Sequence, residues 1–245
     1  MPIDATSWFA CLSVIFVSGV LRGFSGFGFA LAATPLLGFL LPPAEAIPIV
    51  LILQVGASLV GVRATVAALD RRSVVTLGGA AILATPLGVA LLSMLSVQSA
   101  RIVIAALTLL SVLAVRAGLR FRRRPNVALT LPFGLAAGLF SGLCAMPGPP
   151  VILFYTASPL ANISARASMV AIFLLTAVSS LIAAAQAGLI TVEALWIAVA
   201  GAPAMIVGTW AGARLFTKYH ARCYKEASLL ALIGIAAISG LRAFI

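Results

Sequence analysis

The sequence predicts an all-α polytopic membrane protein of two inverted repeats, each a re-entrant or broken helical hairpin plus three transmembrane helices. Three observations predict it. Of 245 residues, 63% are hydrophobic and only 9% charged, with a mean hydropathy of +1.21, whereas soluble domains carry about 25% charged residues. A soluble fold of this size needs a charged skin, so the solvent for most of this chain is lipid. The apolar residues fall into eight stretches, two of them overlong and interrupted by glycine and proline. The cations, 16 Lys and Arg against 5 Asp and Glu, are spread unevenly over the connections. Soluble enzyme, disordered tail, coiled coil and disulfide scaffold are excluded.

The first stretch, 8–41, is preceded by Asp4 and by no Lys or Arg, and it lacks a cleavage pattern, so it reads as mature chain rather than signal peptide. It holds 34 residues, as does the fifth, 127–160, too many for one span and too few for two spans with a loop. Gly23-Phe24-Ser25-Gly26-Phe27-Gly28 interrupts the first, and Ser141-Gly142-Leu143-Cys144-Ala145-Met146-Pro147-Gly148-Pro149-Pro150 the fifth. Glycine lowers helix propensity and proline removes a backbone donor, so a helix is expected to break at both places. Each break leaves half-helices of about fifteen residues, about 22 Å long, short of a hydrocarbon core of about 30 Å. Each long stretch is therefore expected to dip in, turn at depth and return to its own side. The other six, 46–69, 73–95, 102–119, 163–187, 189–213 and 227–245, have the length of single spans.

Parity sets the topology. If all eight stretches cross once, 9 cations fall on one face and 6 on the other. If the two long stretches are hairpins, the division becomes 13 against 2, with Arg22 left inside the membrane and Asp4, Glu45 and Glu193 on the cation-poor face. The positive-inside rule favours the hairpins. Both termini are then outside and the basic linker 120–126, with Arg120-Phe121-Arg122-Arg123-Arg124, is cytoplasmic. Each half of the single transmembrane domain 1–245, 8–119 and 127–245, becomes one hairpin plus three spans. That odd number of crossings inverts the halves relative to each other. Aligning Gly19 with Gly138 also pairs Gly23 with Gly142 and brings Pro86 near Pro203.

Non-helical backbone at membrane depth needs protein or water around it, so the two turns are expected to meet near the midplane about a cavity. Free N–H groups at half-helix starts would line it, and their partial positive charge favours anions. Arg22 stands one residue before the first glycine cluster. A central arginine costs about 2.5–3.5 kcal/mol even on the mild insertion scale, which implies a use. The expected anion site joins Arg22, Gly23, Ser25, Gly26 and Gly28 to Ser141, Gly142, Pro147 and Gly148, with Gln54 from the second stretch. The bland alternative is an arginine that snorkels or caps a helix end.

Gln54 with Ser58, and Thr176 with Ser179 and Ser180, serve equally well as interhelical hydrogen-bonding residues. The small-xxx-small spacing of Gly19/Gly23, Gly134/Gly138/Gly142 and Gly208/Gly212 reads as close helix packing. Arg166 reads as a cytoplasmic-face cation or as the guard of an anion exit; Tyr155, Trp8, Trp196 and Trp210 read as interface or packing aromatics. Cys11, Cys144 and Cys223 form no C-x-x-C and His220 is the single histidine, so no metal or cofactor is expected. The net charge of +11 belongs to membrane topology rather than to nucleic acid.

Leu21-Arg22-Gly23-Phe24-Ser25-Gly26-Phe27-Gly28-Phe29-Ala30-Leu31, followed by Pro35-Leu36-Leu37, resembles the first signature of the TauE/SafE family of sulfite and organosulfonate exporters. Gly138-Leu139-Phe140-Ser141-Gly142, running into Met146-Pro147-Gly148-Pro149-Pro150-Val151, resembles its second. The resemblance covers essentially the whole chain, although Phe27-Gly28-Phe29 and Met146-Pro147-Gly148 replace the family's usual run of glycines. It implies a secondary transporter of the bacterial inner membrane that moves sulfite, sulfoacetate or a related small anion, usually outward. Proton and sodium coupling both stay open, since no spanning stretch holds a buried carboxylate or histidine as an obvious proton carrier. A homodimer stays open as well.

Three rivals come from other classes. Gly23-Phe24-Ser25-Gly26 matches the G-x-S-G of rhomboid-type intramembrane proteases, but such a serine needs a histidine within reach. His220 lies in Lys218-Tyr219-His220-Ala221-Arg222, outside the spans. An anion channel would also use paired hairpins, as a filter. A structural membrane subunit offers no reason for Arg22 at depth.

Overall fold

A computed structural model describes residues 5–25, 28–116, 121 and 123–218. The eighth apolar stretch, His220, Cys223 and Gly26 lie outside the described residues. Within them every regular element is helical: α1 (Ala5–Ser25), α2 (Phe29–Leu40), α3 (Pro43–Thr65), a 3-10 turn (Val66–Ala68), α4 (Arg71–Met94), α5 (Val97–Arg116), α6 (Val127–Cys144), α7 (Gly148–Ala157), α8 (Asn162–Gln186) and α9 (Val192–Lys218). Five segments are long and apolar enough to cross a bilayer: Thr6–Gly23, Arg71–Met94, Val127–Cys144, Asn162–Gln186 and Val192–Leu215. The all-α polytopic expectation holds.

Short polar side chains start helices where the chain re-enters an apolar run. Ser96 Oγ accepts from the Ser99 N–H at 3.1 Å ahead of α5. Asn126 Oδ1 accepts from the Leu129 N–H at 2.9 Å ahead of α6, and Thr191 Oγ1 from the Ala194 N–H at 3.1 Å ahead of α9. Each satisfies a donor that the first turn leaves orphaned. Pro43 opens α3, where a missing N–H costs nothing.

Both long stretches break inside their glycine and proline clusters, but the arms are unequal. α1 has 21 residues and α2 12; α6 has 18 and α7 10. The first arms are about 27–32 Å long and the second about 15–18 Å, which corrects the expected pairs of equal halves. The physical reason lies in Gly23 and Gly142, which stay helical. A helical glycine costs only about 1 kcal/mol against alanine, and here the missing side chain lets backbones touch. A Cβ on Gly23 would collide with the Thr209 carbonyl of α9, and one on Gly142 with the Thr85 carbonyl of α4. The chain turns later instead, at Gly28 (φ 104°) and Ala145 (φ 56°). The Ala145 N–H donates to the Ser141 carbonyl at 2.8 Å, a left-handed cap that costs a residue with a side chain about 1–2 kcal/mol.

The same glycines fix which helices pair. α1 runs parallel to α9, with Ile15 against Gly201, Gly19 against Met205 and Gly23 against Thr209. α4 runs parallel to α6, with Leu77 against Gly134, Ala81 against Gly138 and Thr85 against Gly142. Gly208 and Gly88 make the reciprocal approaches, to the carbonyls of Phe16 and Leu139. The small-xxx-small reading is thus realised as backbone-to-backbone packing. α3 and α8 pack on each other between these pairs.

α6 begins and α7 ends at one end of the bundle. Thr130 and Ser158 share a pocket there with Asp70 and Ser73 at the start of α4, and the Phe121 N–H donates to the Ala157 carbonyl at 2.7 Å. At the opposite end, Arg101 Nε donates to the Gly38 carbonyl at 3.1 Å, tying the start of α5 to the end of α2.

Candidate functional site

The two breaks come together. Gly28, Ala30 and Leu31 from the first and Met146, Pro147 and Gly148 from the second line one small cavity of about 20 Å³, closed by Gln54 of α3 and Phe173 of α8. Its floor and roof are helix starts. α2 begins at Phe29 and α7 at Gly148, so both helix N-termini, with their partial positive charge, face the same space. They are not equivalent. The α2 start leaves the N–H groups of Phe29, Ala30 and Leu31 outside the helical ladder, which begins with Ala32 N–H to the Gly28 carbonyl at 3.1 Å. In α7, Pro149 and Pro150 carry no N–H, so the Gly148 N–H is the donor at that side. Leu31 rests on Gly148, its Cγ 3.3 Å from where a Cβ would stand, and seals the seam between the breaks. A space of 20 Å³ holds one water-sized occupant.

Arg22 stands behind this cavity rather than in its wall. It is 8% exposed. One terminal nitrogen donates to the Ala57 carbonyl at 3.0 Å, and the other lies 3.5 Å from Gln54 Oε1. Gln54 Nε2 in turn donates to Ser58 Oγ at 3.1 Å. Gln54 is therefore held from both sides, by Arg22 through its oxygen and by Ser58 through its nitrogen, while its face lines the cavity. The acceptors of Arg22 are neutral. The buried positive charge thus has no carboxylate partner among the described residues.

Of the residues expected to form the site, Gly28, Gln54, Pro147 and Gly148 line the cavity, and Arg22 backs it through Gln54. Gly23 and Gly142 face α9 and α4 instead. Ser141 Oγ meets Ser180 Oγ at 2.8 Å, joining α6 to α8. Thr176 Oγ1 donates back to the Ile172 carbonyl at 2.8 Å. Ser25 is the last residue of α1, and Gly26 lies outside the described residues. Sequence reasoning missed Met146 and Phe173. A signal for Phe173 existed: Gln54 and Phe173 are 119 positions apart, as are Gly28 and Pro147, and Gly19 and Gly138. Tyr155, read as an interface or packing aromatic, is fully buried, its hydroxyl 2.9 Å from Ser73 Oγ. No three His, Cys, Asp or Glu converge as a metal site among the described residues.

Such a site suits a small anion, because amide donors and a buried guanidinium attract negative charge. A family model described as Sulfite exporter TauE/SafE matches residues 11–239. No curated protein and no solved structure matches the chain.

Proposed function

The chain belongs to the TauE/SafE sulfite exporter family, and from that premise we propose that it carries sulfite or an organosulfonate such as sulfoacetate outward across the bacterial inner membrane as a secondary transporter. One observation carries the proposal: two helix starts face one cavity between two helix breaks, and a buried arginine with neutral acceptors backs it through Gln54. Gln54 and the amides of Phe29–Leu31 hold the oxyanion, and Arg22 supplies charge through Gln54. A sulfite ion has four heavy atoms, more than the cavity takes when the Leu31–Gly148 seam is shut. Binding therefore parts the two breaks, and rocking of one half against the other exposes the site alternately to each side. The reciprocal pairing of α1 with α9 and of α4 with α6 supports reading the halves as inverted repeats. Both breaks act as re-entrant turns, with both termini outside. For that orientation, a cytoplasm-only reporter fused at Ile245 is expected to be silent and one inserted near Pro125 active; the reverse pattern overturns it.

The function is tested by thermal shift of the purified protein against sulfite, sulfate, thiosulfate, sulfoacetate, taurine, lactate and phosphate. Sulfite or sulfoacetate is expected to raise Tm progressively, the stabilisation reaching about 2.7 kcal/mol at a hundredfold excess over Kd. If no anion stabilises the protein beyond matched chloride, the proposal fails.

A further inference from the structure

α7 joins two cavities. Its first residue, Gly148, lines the space between the breaks. Its far end, with Phe154 and the following Ser158, lines a second pocket of about 30 Å³ at the starts of α4 and α6. The helix is 10 residues long, so the two spaces lie about 15 Å apart along one short rod. Where the inner cavity has no charged side chain in its wall among the described residues, the outer pocket has Asp70, Arg72 and Arg124. We propose that this outer pocket is a second anion site, the basic-face vestibule of the same path, in which Arg72 and Arg124 receive the substrate oxyanion and Asp70 competes with it. The assignment of substrate rests on the function proposed above.

The groups around the pocket are fixed to different degrees. Asp70 is pinned through its backbone. Its N–H donates to Ser168 Oγ at 3.0 Å, and its carbonyl accepts from Ser73 Oγ at 3.0 Å, which also meets the Tyr155 hydroxyl. α4, α7 and α8 together therefore hold it in place. Arg124 belongs to the linker and its side chain is 65% exposed. The linker itself is anchored by Phe121, whose ring packs on Phe133 and Phe154 at 6.3 Å centroid distances. The Arg124–Asp70 separation of 3.8 Å is well beyond the 2.7–2.9 Å of a tight charge-assisted bond. An arriving oxyanion draws the exposed guanidinium away from the Asp70 carboxylate.

The hydroxyls at the pocket are already engaged. Thr76 donates to the Arg72 carbonyl, Thr130 to the Asn126 carbonyl and Ser158 to the Phe154 carbonyl. Recognition thus falls to the two guanidiniums, whose planar forks match an oxyanion's paired oxygens. Asp70 keeps the affinity low, which lets the anion leave the vestibule in either direction.

The test is anaerobic titration calorimetry of sulfite on the purified full-length protein, in an Arg22→Gln background that disables the inner site. Residual sulfite binding is expected to weaken several-fold in Arg22→Gln/Arg124→Gln, to vanish when Arg72→Gln is added, and to tighten about fivefold in Arg22→Gln/Asp70→Asn. Because Arg124 is exposed, its variant leaves the fold intact. Absence of binding in Arg22→Gln, or binding indifferent to Arg124→Gln and Asp70→Asn, overturns the vestibule. Equal sulfite binding by the wild type and Arg22→Gln overturns the inner site instead and leaves the vestibule standing.

Discussion

Arg22→Gln is expected to lower sulfite flux in proteoliposomes by one to two orders of magnitude while the protein is expressed and purified as well as the wild type. The size follows from the hydrogen bonds lost. Those to a charged group are worth about 1.5–3 kcal/mol, and this guanidinium both holds Gln54 at the cavity wall and supplies the positive charge behind it. Stability moves the other way. A charged arginine at depth costs about 2.5–3.5 kcal/mol, so its removal leaves the fold equally stable or more so. Arg22→Lys keeps a charge without the planar fork and is expected to recover part of the flux. A purely structural arginine gives the opposite pattern, loss of folded protein with normal flux in whatever remains.

The second large effect is on folding. Gly138→Leu is expected to remove about 3 kcal/mol or more of stability and to leave little monodisperse protein, because a Cβ there would run into the Ala81 carbonyl and the neighbouring backbone of α4. Backbone in the middle of a paired helix cannot step aside as a flexible side chain does. Gly79→Ala, on the same α4 but with open space at its Cβ, is the control and is expected to be neutral. A Gly138→Leu protein that elutes and melts like the wild type contradicts the packing account.

The all-helical class, the two interruptions and the packing role of the spaced glycines are legible in the sequence because each depends on local chemistry: apolar runs, missing Cβ atoms and missing N–H groups. Where each helix breaks is not local. Gly23 reads as part of a breaker cluster, yet the approach of Thr209 from α9 turns its bareness into a reason to remain helical. Arg22 is conspicuous as a charge in an apolar run, but its partners Gln54 and Ala57 lie on another helix, so its place behind the wall is visible only once α1 and α3 are packed. The outer pocket was hidden for the same reason. Arg124 and Tyr155 read as a topology signal and a packing aromatic, and only the fold brings them to Asp70 and Ser73. The family resemblance named the substrate class, which neither helical periodicity nor charge placement contains.

Counterflow of labelled sulfite into vesicles containing the purified protein tests the central claim most directly. The account predicts saturable uptake that unlabelled sulfite on the opposite side accelerates, and its loss in Arg22→Gln. Flux that rises without saturation and appears as ohmic single-channel steps, or the same counterflow in Arg22→Gln, contradicts it.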